Sequence, residues 1–264
     1  MPKSANALST KKWFALDAIS TQYEPAMRLA FTKALTNPPP YSVKIQPVLA
    51  NILTATCRYA ADFYGLEFNP FNPVYRDTVT NLCNGIDKTL DNSAAQHAVS
   101  LIVPPGLPAL ERRRRIAQAN GLDPRMAVAI EQMHQRAKTS TEKSALRSKT
   151  MSAIQTRSNL LAITETNRAV NQSLLALWRA NEDVRKAQED VTFYDQTIKD
   201  AGRIPRNARK VILTRRDDRV CTYCDVLDGV SAKLNDDFDT EYGMFECPPF
   251  HPRCRCFMLV TTEY

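Results

Sequence analysis

Apolar residues recur at helical spacing along the first 200 positions, and give way near the C-terminus to short apolar runs separated by turns. Tyr23, Met27, Ala30, Phe31, Ala34 and Leu35 share one helical face, and Thr21 with Glu24 has the spacing of a capping box at its start. Three prolines after Asn37 end that helix, because none can donate to the helical ladder. Ile45, Val48, Leu49, Ile52, Leu53, Ala60 and Phe63 form the next stripe. After the loop Phe68-Asn69-Pro70-Phe71-Asn72-Pro73, a third stripe follows at Val79, Leu82, Cys83, Ile86 and Leu90.

The stretch from Val103 to Pro108, VPPGLP, is the clearest internal break and a candidate domain boundary. Beyond it, Leu110 to Asn120 reads as a helix closed by Gly121. Asp123-Pro124 then supplies an N-cap and first-turn proline for a helix bearing Met126, Ile130 and Met133. Thr139 to Asn159 is polar and reads as either a solvated helix or a flexible connector. Leu160, Leu161, Ile163, Ala169, Val170, Leu174, Leu177 and Trp178 restart a long helix that can run to Ala201 and stop at Gly202.

The tail differs. Lys210 to Leu213 reads as a strand, Phe257 to Val260 as the last strand, and the rest is rich in turns. Asp228-Gly229 predicts a tight turn. The expected architecture is mainly α, a long helical body followed by a small zinc-stapled α+β module. Its expected divisions are 1–105, 106–205 and 206–264.

Composition sharpens this picture in three ways. The chain has 264 residues, 44% hydrophobic and 24% charged, enough to bury a real core. No apolar stretch is long enough for a membrane span, and the N-terminus lacks the apolar core of a secretory signal. The thiols are therefore expected in a reducing cytoplasm, as metal ligands or core residues rather than disulfides. The net charge of +7 is uneven. Residues 99–160 carry 11 basic and 4 acidic side chains, whereas residues 217–264 carry 4 and 10. Any contact with nucleic acid is expected upstream of the acidic tail, with Arg112, Arg113, Arg114 and Arg115 as candidates for phosphate contact or for a solvated helix face.

Five of the seven cysteines fall between positions 221 and 256. Cys221-Thr222-Tyr223-Cys224 has the spacing that lets two thiolates grip one ion from a tight turn, and His251-Pro252-Arg253-Cys254 sets an imidazole and a thiolate three residues apart. Tetrahedral zinc needs four ligands, and Cys221, Cys224, His251 and Cys254 supply them. Cys256, in place of His251 or Cys254, is the main rival, and Cys247 is a further spare. A set of reduced thiols without metal is the plain alternative. A redox CxxC normally opens a helix after a strand of a βαβ unit, and that pattern is not found here. Four protein ligands leave no open position, so the expected site is closed and coupled to folding. Cys57 and Cys83 fall on helical stripes and are expected to be buried core residues.

The tail RKVILTRRDDRVCTYCDVLDGV, followed by CPPFHPRCRC, resembles the C-terminal signature of the phage head morphogenesis family, the Mu F-like minor head proteins. The shared features are a basic-aromatic strand, an Asp-Arg pair, a CxxC, a Leu-Asp-Gly turn and an HPxCRC ending. Upstream, Gly121-Leu122-Asp123-Pro124-Arg125 is similar to the family's Gly-Leu-Ser-Pro-Arg helix start, and Ile163-Thr164-Glu165-Thr166 to its Ala-Arg-Thr-Glu-Thr helix. The likeness covers about residues 110–260. It departs at Val211-Ile212, where the family has a tryptophan, and before Thr164, where its arginine is missing.

The resemblance implies a virion component at the portal vertex or head interior, made in the host cytoplasm and acting in head assembly, DNA packaging or ejection. It implies the portal or major capsid protein and packaged DNA as partners, and no small-molecule substrate or catalysis. Some relatives carry a toxin or transferase domain beyond the signature, and none is expected here. A zinc-dependent nucleic-acid-binding protein is the alternative. A histidine–metal nuclease needs a general-base histidine beside its metal, and the tail has one histidine, in a ligand-like position.

Overall fold

In a computed structural model of the chain, the described residues are 4–36, 41–101, 132–133, 136–189, 208–215, 220–240 and 243–261. They are mainly helical, with a small region of strands near the C-terminus. The long helices are α1 (Ser4–Thr36), α2 (Ser42–Tyr64), α3 (Pro73–Leu101) and α4 (Ser140–Glu189). The remaining elements are β1 (Arg209–Leu213), α5 (Thr222–Asp225), β2 (Ser231–Lys233), β3 (Phe238–Thr240), β4 (Gly243–Phe245) and β5 (Phe257–Thr261). No helix among the described residues is long and apolar enough to cross a membrane. The expected break at 103–108, the helices on either side of Gly121, and Arg112–Arg115 lie outside the described residues.

Two compact units emerge. One is drawn from Ala26–Pro47 and Leu82–Ala162. Its core buries Met27, Phe31, Leu35 and Ile45 together with Leu82, Cys83, Ile86 and Ile154. The amide of Ser42, which opens α2, donates to Asp87 Oδ1 at 2.9 Å, so a side chain of α3 satisfies one orphan donor of the helix start.

The other unit combines Met1–Pro25, Val48–Asn81 and Ile163–Tyr264. Leu49, Ile52, Cys57 and Ala60 of α2 are buried, as are Leu174, Leu177 and Trp178 of α4. The Tyr64 and Trp178 rings meet edge-on at 5.1 Å, a favoured aromatic geometry. Phe63, on the expected stripe, is 38% exposed and instead packs its ring against its neighbour Tyr64 at 5.1 Å.

Two helix starts differ from the sequence reading. α1 does not begin at Thr21: it begins at Ser4 and carries Pro25 within it. Leu16 and Ser20 are buried upstream of the supposed cap, and burial of that earlier turn outweighs the local start signal. The polar stretch 139–159 is not a connector but the first part of α4. Its start is fixed by a reciprocal box: Glu142 N donates to Thr139 Oγ1 at 3.2 Å, and Thr139 N donates to Glu142 Oε2 at 2.8 Å.

The strands form an antiparallel sheet in the order β2-β1-β5, with Val211 opposite Leu259 and Leu213 opposite Phe257. A separate hairpin pairs Phe238 of β3 with Phe245 of β4. Phe257, Met258, Leu259 and Val260 are all buried. A continuous apolar run of this kind belongs to a strand covered on both faces. The tail therefore shares the core of the unit that holds residues 48–64 of α2 and 163–189 of α4.

Candidate metal centre

Two turns, both at the end of the β1–β5 pairing where Leu213 faces Phe257, build the site. Where β1 ends, the chain leaves the sheet and returns: Ile212 N donates to Val230 O, and Gly229 N donates to Ile212 O, both at 2.9 Å. Asp228 Oδ1 accepts from Thr214 N at 2.9 Å, and Gly229 has φ of +82°, a conformation that glycine adopts without a Cβ clash. The expected Asp-Gly turn thus closes the base of the loop that carries the CxxC.

At the tip of that loop, Cys221 is the N-cap of α5. Its carbonyl accepts from the amides of Cys224 and Asp225 at 3.0 Å, and its sulfur accepts from Cys224 N at 3.4 Å. This winding turns both sulfurs to one side.

The second turn precedes β5. Cys254 N donates to His251 O at 3.1 Å, and Arg253 has φ of +62°. Proline second and a left-handed residue third are the marks of a type II turn. His251 and Cys254 both line the cleft that also holds Cys221 and Cys224.

The two turns meet. His251 Nε2 lies 3.2 Å from Cys221 Sγ and 3.0 Å from Cys224 Sγ, and Cys224 Sγ lies 3.8 Å from Cys254 Sγ. The ligand atoms of Cys221, Cys224 and His251 all lie within 4.8 Å of one another, and so do those of Cys224, Cys254 and Cys256. These two groups, sharing Cys224, can hold a metal ion. His251 Nδ1 donates to Pro252 O at 2.8 Å, since a carbonyl can only accept, and Nε2 is the nitrogen on the sulfur side. Cys221 is at the surface and the other three thiols are buried.

Hydrogen bonds from Cys224 and Cys256 hold the Cys254 thiol far below its usual range, as the shared acceptor. Cys224 is pushed up by its hydrogen bond with Cys254, and Cys256 by those with Cys224 and Cys254. Arg215, Arg253 and Arg255 line the same cleft. A metal ion is a partner that this donor set could hold.

Comparison with known proteins finds no family model, no curated protein and no solved structure that matches this chain.

Of the spare thiols, Cys256 joins the cluster and Cys247 does not. Cys247 accepts from Gln172 Nε2 at 3.2 Å, and burial pushes its thiol up to about 12. Beside it, Glu246 receives hydrogen bonds from Gln172 at 2.9 Å and Arg179 at 2.5 Å. Burial works against its charge, but those bonds, with the charges of Arg179 and Lys210, hold the carboxyl below its ordinary range. Cys57 and Cys83 are buried, and Cys57 donates to Ser173 O at 3.3 Å.

Three residues of α4 that the sequence reading gave no role stand behind the second turn. Thr164 Oγ1 accepts from Arg253 N at 3.0 Å. Asn167 Nδ2 donates to Cys254 O at 2.9 Å and to Cys256 O at 3.0 Å. Asn171 Oδ1 accepts from Met258 N at 2.6 Å, while its Nδ2 donates to Cys256 O at 3.3 Å. Their signal in the sequence is small polar residues at i, i+3 and i+7, on a face otherwise continued by Leu174 and Trp178.

Proposed function

We propose that the chain is a minor head protein of the phage head morphogenesis type, whose tail is closed by one structural zinc ion. The observation that supports it is convergence. Cys221-Thr222-Tyr223-Cys224, His251-Pro252-Arg253-Cys254-Arg255-Cys256 and Thr164 of α4 lie far apart in sequence and meet in one site. Those are three of the stretches that carry the resemblance. A coincidental likeness of short motifs has no reason to assemble.

The donor set fits zinc. Zinc–sulfur bonds of about 2.3 Å at tetrahedral angles put ligand sulfurs about 3.8 Å apart. Cys224 and Cys254 have that separation. Cys221, Cys224, His251 and Cys254 are the proposed ligands, with Cys256 as the alternate to His251 or Cys254. Bound zinc would offset most of the charge of the three thiolates and tie the two turns together. In small zinc peptides this supplies on the order of 10 kcal/mol to folding. The chain's own residues supply the rest: Pro252 O orients the imidazole, and α4 holds the backbone.

The role is positional. A rigid docking surface serves a partner recognised by shape, here the portal or inner capsid wall, and the basic residues 99–216 meet packaged DNA without sequence preference. In particles from a phage that encodes it, the chain is expected in a low, defined copy number. The double change Cys224→Ser with Cys254→Ser is expected to give malformed, underfilled or non-infectious heads. Normal infectious particles containing no trace of the chain overturn the reading. So does DNA retardation that is lost on removing residues 217–264, an outcome that belongs to a zinc-dependent nucleic-acid-binding protein instead.

A further inference from the structure

The two turns of the metal centre are supported unequally. Asn171 spans residue 257, accepting from Met258 N on one side and donating to Cys256 O on the other. A residue of a parallel neighbouring strand bonds in this way, to the carbonyl before and the amide after the residue it faces. One helical side chain therefore does for the start of β5 what a further strand would do. Asn167 adds the Cys254 and Cys256 carbonyls, and Thr164 the Arg253 amide. From 253 to 258, four backbone groups are fixed by three side chains of one helix. β1 grips the same strand from its other edge. The CxxC turn is held differently, by bonds within itself and by its return to β1.

We propose that Thr164, Asn167 and Asn171 are positioning residues of the metal centre. They hold the 253–258 limb in ligating geometry before metal arrives, and leave the Cys221–Cys224 turn as the limb that closes on the ion. The proposal rests on the reading of the cluster as a metal site, and deepens it by assigning an order of assembly. The surface position of Cys221 places that closing limb on the open side of the site. Outer partners that orient ligands through the backbone leave the donor set intact but change how tightly it grips.

The test uses the full-length chain in four forms: wild type, Thr164→Val, Thr164→Ser and Asn167→Leu. Valine keeps the shape of threonine and removes the acceptor for Arg253 N; serine restores it. Zinc-loaded protein is mixed with a chromogenic chelator, and the cobalt-substituted forms are examined by visible absorption. Thr164→Val and Asn167→Leu are expected to hold zinc about tenfold more weakly, with an altered cobalt band, while Thr164→Ser matches wild type. Release and cobalt spectra within twofold of wild type in folded Thr164→Val overturn the proposal, as does a serine variant that behaves like valine.

If wild type binds no metal, the zinc reading fails, and a second arm still decides the positioning. Iodoacetamide labelling of the metal-free chain, read peptide by peptide, is expected to show Cys254 and Cys256 reacting about tenfold faster in Thr164→Val than in wild type or Thr164→Ser. Equal labelling in all three overturns it. Should Asn167→Leu fail to fold, the Thr164 pair carries the comparison alone.

Discussion

Cys224 and Cys254 are thirty residues apart in the chain, and their sulfurs approach to 3.8 Å. Each arrives on its own turn, one folded by an N–H to sulfur bond and the other by a proline followed by a left-handed residue. The approach is set by the pairing of β1 with β5, since Leu213, where one excursion begins, lies opposite Phe257, where the other ends.

One zinc per chain is therefore expected from elemental analysis of purified protein. Cys224→Ser should abolish it, because both ligand groups share that sulfur. Cys247→Ser should keep full occupancy, its sulfur being engaged by Gln172 outside the cluster. Chelation should lower the melting temperature of wild type and leave that of Cys224→Ser where it is. Full zinc in Cys224→Ser, or an equal loss in Cys247→Ser, defeats this assignment.

Arg253 bears a left-handed backbone that costs an ordinary residue about 1–2 kcal/mol. Changing it to alanine removes the guanidinium and keeps the Cβ; changing it to glycine removes both. Urea denaturation should find Arg253→Gly more stable than Arg253→Ala by about 1 kcal/mol. The reverse order would mean that the turn does not carry this strain.

Glu165 is buried, and desolvation raises its carboxyl pKa despite the charge and hydrogen bond of Arg168 at 2.9 Å. A raised folded value means the unfolded chain ionises first. Stability is then lost as pH climbs from the ordinary carboxyl value, about 4.3, to the folded one, and is flat beyond it. Glu165→Gln should erase that decline, so the variant gains on wild type between those two values and keeps its lead at neutral pH. Parallel stability–pH curves for the two proteins would count against it.

Thr139 caps α4 through its hydroxyl and receives Glu142 in return. Thr139→Ala should cost about 1 kcal/mol and speed amide exchange in the first turn of the helix, while zinc content stays unchanged. Undiminished protection of that turn would show that its packing alone fixes the start.

The sequence by itself determined the class of the segments with a clear period. Stripes at Ile45, Leu49 and Ile52, and at Val79, Leu82 and Ile86, marked helices with their buried faces, because a period of 3.6 is local information. The Asp228-Gly229 turn and the CxxC and HPxC pairs of candidate ligands were legible for the same reason: each is set within four residues.

Tertiary structure alone decided the rest. Which spare thiol joins the site is a matter of where chain direction carries Cys256 and Cys247, and two adjacent-looking cysteines end on opposite sides of that question. Burial of Leu16 carried α1 through the start signal at Thr21. Asn167 and Asn171 gained their role only when β5 came to lie along α4, since an amide is a strand's partner only if a strand is there.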